Sequence, residues 1–450
     1  MNRLSEATLD RLPSFVRRPA PRPAPRVVHL GIGAFHRAHQ AVVFDDLGWG
    51  VTGASLRSPA VRKAMVPQDC LYSLVVGEEV RVIGAVRDVL LASDALTEAL
   101  AAPETDIVTL TVTEKGYLPD PSGKGAADFL AAALKLRHAR GIAPFTAISC
   151  DNLPENGRRL REAVLAASDP DTADWIAREG AFPQTMVDRI VPATEEADID
   201  ALAARTGLVD RAMVKAEPFL QWVIEDRFAG PRPDFAAAGV QLTAEIAPWE
   251  DAKLRLLNGA HSAIAYLGAL AGLDFVHEVI AVPAYARFVA ALWDEVDATL
   301  SPPPGLDIAA YRRALMARFA NPGLQHRTRQ IAMDGSQKLP QRLLAPIAAR
   351  LERDQPIAAL ALAVAGWMRW QSGRTDAGEA FIVDDPLAAE MARRIAGLSN
   401  PAEQAKALIG IDAIFPPRLA ADPRFAEAVA RQLARLATLG ARRTIEEFRP

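Results

Sequence analysis

Four polar residues interrupt an otherwise largely apolar stretch, W-E-D-A-K-L-R-L-L-N-G-A-H-S-A over residues 249–263: Glu250, Lys253, Asn258 and His261. A lysine, an amide and an imidazole converging on one place look like parts of an active site, where such groups exchange protons and donate hydrogen bonds. With Lys253 at zero on an α-helix, Glu250 falls at about 60°, His261 at about 80° and Asn258 at about 140°. All four then share one face covering roughly 140° of a single helix. The blander alternative is a polar face that meets water. Against it stands the continuation A-I-A-Y-L-G-A-L-A-G-L, which carries no charge. A helix that enters a core directly after such a stripe places its polar groups where they need partners.

A second constellation lies near the start of the chain. The apolar strand Val27–Leu30 runs into G-I-G-A-F-H-R-A-H-Q and then the helix-like A-V-V-F-D-D-L. Strand, glycine turn and helix is the context in which G-x-G reads as a dinucleotide fingerprint. Gly31 permits the tight turn, and Gly33 lets a pyrophosphate approach the backbone at a helix N-terminus. His36 stands where the third glycine of G-x-G-x-x-G would be. An ordinary strand-to-helix turn is the competing reading. The next strand, Val51–Leu56, ends in L-R-S-P without an acid to grip a ribose 2′-hydroxyl. Arg57 is either a 2′-phosphate contact or a surface charge, so NAD and NADP both stay open. Asp45 and Asp46 read as solvated helix residues. A hairpin follows, Tyr72–Val76 with Val80–Ile83, and then two β-branched strands at 106–113 and 145–150. Both strands end in polar loops, Thr113-Glu114-Lys115-Gly116-Tyr117 and Asp151-Asn152-Leu153-Pro154-Glu155-Asn156-Gly157. Ligands of open α/β sheets bind beyond the carboxyl ends of strands. By spacing alone Asn152 reads first as a helix N-cap or turn residue.

The rest of the chain must position these groups. Its 450 residues, half of them hydrophobic and 24% charged, describe a globular protein of two or three domains. A net charge of -4 gives no reason to expect nucleic acid or an anionic membrane as partner. Two cysteines, Cys70 and Cys150, cannot form a disulfide framework or a thiolate-rich zinc site, which points to a reducing compartment. No apolar segment near the N-terminus reads as a signal peptide, and the most apolar later window falls short of a membrane span. The expected location is cytoplasmic. Residues 1–26, with R-R-P-A-P-R-P-A-P-R at 17–26, read as a lead-in arm. Residues 27–244 read as a Rossmann-like domain and 245–450 as a mostly α-helical substrate and catalytic domain. Its expected helices span 250–273, 284–299, 308–319, 340–353, 357–371, 386–396, 402–409 and 423–438. The fold class is α/β followed by α.

Seven segments in one order carry a resemblance: G-I-G-A-F-H-R-A-H-Q, T-V-T-E-K-G-Y, S-C-D-N-L-P-E-N-G, M-V-D-R-I, E-P-F-L-Q-W-V-I-E-D, K-L-R-L-L-N-G-A-H-S and D-G-S-Q-K-L-P-Q-R. With them the chain resembles the polyol-specific long-chain dehydrogenases, the mannitol dehydrogenase family, over nearly its full length. H-R-T-R-Q-I-A-M-D-G-S-Q-K-L-P-Q-R (326–342) and V-A-G-W-M-R-W (364–370) look most like the fructuronate-reducing branch. The resemblance implies hydride transfer with NAD(H) or NADP(H) and no metal. It implies Lys253 as acid/base, Asn152 and Asn258 as the oxyanion amides, His261 completing the motif and Glu250 exchanging protons with water. Cofactor contacts are expected along Gly31, Ile32, Gly33, Ala34, Phe35, His36 and Arg37, and at Arg57, Thr113, Glu114 and Lys115. Lys338 matches a substrate-contacting lysine, with Arg342 and Arg327 as further cations for a carboxylate. Mannitol-oxidising members carry arginine eight residues before that lysine, where this chain has Gln330. The implied reaction interconverts a keto-sugar acid and its alcohol, D-fructuronate and D-mannonate. The alternative is oxidation of mannitol, arabinitol or sorbitol by a polyol 2-dehydrogenase. The partner is a small molecule and the protein a monomer or small homo-oligomer.

Rival chemistries fit less well. His36 and His39 have no cysteine near them to make a zinc dehydrogenase site, and none of the five tyrosines has a lysine four residues on, as short-chain dehydrogenases need. A nucleotide-sensing protein without turnover would keep the glycine turn but have no use for Lys253 beside two amides.

Overall fold

The structure, a computed structural model, describes residues 2–117 and 123–449, without the side chains of Glu114 and Lys115. The chain divides into two compact units, Met1–Ile246 and Ala247–Pro450.

In the first unit, five parallel strands form the central sheet, in the spatial order Val86–Leu91, Gly50–Ser55, Pro25–Leu30, Ile107–Leu110, Thr146–Ser149. The first of these strands in sequence lies in the middle, the arrangement of a dinucleotide-binding half. Successive residues face opposite sides, and both sides are apolar. Val27, Ile107 and Ile148 pack into one core with Phe44 and Trp222. Val28, Val108 and Ala147 pack into the other with Leu130 and Trp175. A sheet covered on both faces explains why these strands read as continuous apolar runs. The expected hairpin is present, Tyr72–Val76 antiparallel to Glu79–Ile83. The M-V-D-R-I and Q-W-V-I-E segments pair as antiparallel strands Thr185–Asp188 and Gln221–Glu225.

Two differences from the sequence reading concern long-range pairing. Residues 1–26 are not a free-standing arm. Asn2–Arg3 pairs with Leu208–Val209, and Val16–Arg17 with Val80–Arg81. Leu4, Leu12 and Val16 are buried beside Leu71, Val82 and Leu202. The edge strand Val86–Leu91 was not anticipated; it pairs in parallel with Gly50–Ser55.

The second unit is helical. Ala358–Trp370 is buried along most of its length and packs against Gly259–Leu270 and Pro423–Glu446. Short helices at Val276–Ala281 and Thr328–Ile331 were not anticipated. Two expected single helices are interrupted. The first runs as α-helix Ala247–Ala252, π-helix Lys253–Asn258 and α-helix Gly259–Leu270. The other runs as α-helix Gly335–Leu339, π-helix Pro340–Leu344 and α-helix Ala345–Leu351. Among the described residues no helix is long and apolar enough to cross a membrane.

Candidate active site

The glycine turn of the first unit follows from backbone contacts. Gly31 has φ +94°, and a Cβ there would lie 2.2 Å from the carbonyl oxygen of Thr111. No other residue type fits, because both the dihedral and the space forbid a side chain. The turn thus presses against the strand that crosses to the other half of the sheet, at the point where strand order reverses. Gly33 is exposed and caps the helix Ala34–Ala38, whose Arg37 N–H makes the first helical bond to Gly33 O at 3.2 Å. The N–H groups ahead of Arg37 in that turn are the ones a helix leaves for an anion.

Of the expected cofactor-binding stretch, Gly31, Ala34 and Phe35 are partly exposed, while Ile32, His36 and Arg37 are buried. His36, in the place of a third glycine, is fully enclosed and its ring stacks on His29 at 3.4 Å. Burial drives its pKa well below the usual imidazole range, with the neighbouring His29 adding to the fall. His29 bonds Thr109 Oγ1 at 2.7 Å and Thr111 Oγ1 at 2.9 Å, and Thr111 Oγ1 donates to Gly31 O at 2.8 Å. Arg37 donates to Gly33 O and Ala212 O and its carbonyl accepts from Tyr72. His36 and Arg37 therefore support the turn from behind. Arg57 is exposed just past the second strand.

The two polar loops meet through a residue that the sequence reading passed over. Asp151 is 8% exposed, and its carboxylate accepts from Val112 N at 3.2 Å, Thr113 N at 2.9 Å and Tyr117 Oη at 2.7 Å. Burial raises its pKa, opposed by these donors. Thr113 is held at φ +67°, a strained conformation for a β-branched residue. Asn152 follows Asp151 and is exposed. Behind the loop, Asn156 donates to Asp151 O at 3.1 Å and Thr185 O at 2.9 Å. The signal for Asp151 was present in the sequence as an acid at the end of an apolar strand, where an unpaired charge is costly. Glu114 and Lys115 lie in a short turn of helix, and their side chains are outside the described residues.

In the second unit, the wide turn reshapes the polar stripe. A π-helix bonds i to i−5, so residues five apart become neighbours. Lys253 and Asn258 are five apart. The arc expected from α-helical spacing is thereby narrowed. Lys253 is 8% and His261 9% exposed, while Glu250 and Asn258 are partly exposed. His261 Nε2 has no hydrogen-bond partner among the described residues. Its pKa is driven well below the ordinary value by burial, with His326, Arg318 and Arg342 contributing, so the ring is neutral. An unfilled imidazole nitrogen in a buried position is suited to a substrate hydroxyl.

Lys338 lies on Gly335–Leu339. Its Nζ donates to Met333 O at 2.5 Å and lies 3.9 Å from Asp334 Oδ2. Burial lowers its pKa, helped by Arg342. The helix that carries it is tethered by Asp385, which accepts from Ser336 N at 2.7 Å and Ser336 Oγ at 2.6 Å. Arg342 donates to Ser262 Oγ at 3.1 Å, one turn beyond Asn258. Arg327 is exposed and stacks over Phe275. Gln330 is exposed on the short helix Thr328–Ile331.

Comparison with known proteins matches both units. The model of the mannitol dehydrogenase Rossmann domain covers residues 25–237, and that of the mannitol dehydrogenase C-terminal domain covers 245–437. The D-mannonate oxidoreductase of Escherichia coli (strain K12) is 40% identical over 93% of this chain and 95% of its own. The mannitol 2-dehydrogenase of Aspergillus terreus is 37% identical over 94% of this chain and 92% of its own. The solved structure of Pseudomonas fluorescens mannitol 2-dehydrogenase, a ternary complex with NAD and D-mannitol, is 35% identical and superposes with a TM-score of 0.83 over 99% of both chains. With both domain models matched in order across almost its whole length, the chain belongs to the mannitol dehydrogenase family of oxidoreductases.

Proposed function

We propose that the protein is an NAD-dependent oxidoreductase that interconverts a keto-sugar acid and its secondary alcohol, with D-fructuronate and D-mannonate as the pair. The observation that carries the reaction class is the buried Lys253 set five residues from Asn258 across a wide helical turn, with an unfilled His261 Nε2 on the same chain segment. The glycine turn fits a dinucleotide: Gly31 admits no Cβ, and the exposed Gly33 backbone opens a helical turn. When bound, a nicotinamide supplies or accepts the hydride.

The chain's own residues handle the proton and the oxygen. In reduction, Lys253 as ammonium gives its proton to the carbonyl oxygen and is left as the amine. In oxidation, the amine takes the proton of the alcohol. Asn152 and Asn258 donate N–H groups to the oxygen as it gains alkoxide character, and one such donor is worth about 3 kcal/mol of barrier. His261 orients a substrate hydroxyl, and Glu250 passes the proton of Lys253 to water.

The carboxylate of a sugar acid needs a cation, and Lys338 is assigned to it. Likeness to a D-mannonate oxidoreductase and glutamine at position 330 support the acid. A second reading, a polyol 2-dehydrogenase, is supported by the similar identity to mannitol 2-dehydrogenases. Turnover of fructuronate, fructose and xylulose with NADH and with NADPH separates the readings. The acid reading expects fructuronate to dominate kcat/KM with NADH, and Lys338→Ala to raise its KM far more than that of fructose. Preference for fructose, or an equal rise for both, contradicts it.

A further inference from the structure

The wide turn that carries Lys253 packs against a second one, Pro340–Leu344. Each closes with a bond across five residues, Gly259 N–H to Leu254 O and Ala345 N–H to Pro340 O. Such turns are rare inside α-helices and need a local cause. The second has one in its sequence. Pro346, four residues after Arg342, has no N–H for that carbonyl, and its ring would crowd it.

The first wide turn contains no proline and is held from outside. The indole of Trp293 donates Nε1–H to Leu256 O at 2.9 Å. Arg342 Nη1 donates to Ser262 Oγ at 3.1 Å and reaches Asn258 O at 3.5 Å. The backbones meet at Gly259, where a Cβ would lie 3.0 Å from the carbonyl oxygen of Arg342. Two carbonyls of the widened turn are thus met by side chains from other helices. The close approach exists because position 259 has no side chain. In an unbroken α-helix Lys253 and Asn258 would stand about 140° apart.

We propose that Arg342, Trp293 and Gly259 are positioning residues: they hold the 253–258 turn wide so that the Lys253 amine and the Asn258 amide serve one substrate oxygen. This rests on the assignment of Lys253 and Asn258 above. In this role each acts through the helix that carries the reacting groups, separately from the carboxylate contact that the resemblance also offers Arg342.

The test uses the full-length protein with Trp293→Phe, Arg342→Lys and Gly259→Ala, alongside Lys253→Ala. Trp293→Phe keeps the ring but removes the donor, and Arg342→Lys keeps the charge but loses the planar fork. Expected are kcat losses of roughly 10- to 100-fold, with KM for sugar and cofactor held within about twofold, wild-type circular dichroism, and a shifted Lys253 limb in the pH–kcat profile. A simple packing role would not move that limb. Folded variants with wild-type kcat and pH limb overturn the proposal, as does a rise in KM alone. If Gly259→Ala does not fold, the other two decide. Normal turnover by Lys253→Ala defeats the underlying assignment instead; an inactive Lys253→Ala beside three normal variants defeats only this inference.

Discussion

The glycine turn of the first unit and the lysine helix of the second solve the same problem by opposite means. At Gly31 the backbone is placed by exclusion: a left-handed dihedral and a carbonyl 2.2 Å from the absent Cβ leave one residue type possible. At Lys253 no residue type is forced. Its placement comes from a departure from regular helix geometry that other helices stabilise through Leu256 O and Asn258 O. The first kind of site is intolerant of substitution at one position. The second is sensitive at several, each with a smaller effect.

Gly31→Ala is the sharpest probe of that contrast and carries the largest expected effect. It adds a steric clash with the backbone to a strain on the order of 1–3 kcal/mol. Cofactor binding, followed by quenching or enhancement of NADH fluorescence, is expected to vanish, whereas Gly33→Ala weakens it partially. Comparable affinities for the two variants would erase the distinction.

Asp151→Ala comes next. Removing a buried carboxylate that accepts from two backbone N–H groups and a phenol leaves those donors unpaired, at a cost of about 1.5–3 kcal/mol. The loop bearing Asn152 loosens, so kcat falls more than stability does. A purely structural loss, with kcat intact in the folded fraction, would argue that Asn152 does not act.

Glu295 supplies the matching control in the second unit. It is buried, and its carboxylate accepts from Ala359 N and Leu360 N at 2.9 Å each, capping the central helix from a distance. Glu295→Ala is expected to lower unfolding stability by about 2 kcal/mol and leave kcat unchanged in chemical denaturation and kinetic assays.

The last effect concerns acid. Burial lowers the His29 pKa to about 3. In the unfolded chain the same ring takes a proton near its ordinary value of 6.5. Between these values the unfolded state binds more protons, so stability is complete above about 6.5 and falls as pH drops toward 3. Melting temperature measured across that window is expected to decline less steeply in His29→Gln.

How much was legible in the sequence follows the same division. The hairpin at 72–83, the glycine turn and the parallel strands were readable because each is specified by neighbouring residues. The pairing of Asn2–Arg3 with Leu208–Val209 was not, since two residues carry no periodicity and their partner is distant in sequence. His36 was read as a departure from the third glycine of a fingerprint and as one of the cofactor contacts; its ring fills the space behind the turn, stacked on His29. Lys253, Asn258 and His261 were singled out by residue type. The 3.6-residue period assumed between Lys253 and Asn258 does not hold, because that turn is a π-helix. Only Pro340 and Pro346 hinted at the second wide turn, and nothing local hinted at the first.

Turnover of Lys253→Ala under saturating sugar and cofactor, with cofactor affinity measured in parallel, tests the proposed chemistry most directly. The account predicts a loss of roughly 10²- to 10⁴-fold in kcat with cofactor binding retained. Near-normal turnover by that variant would contradict it.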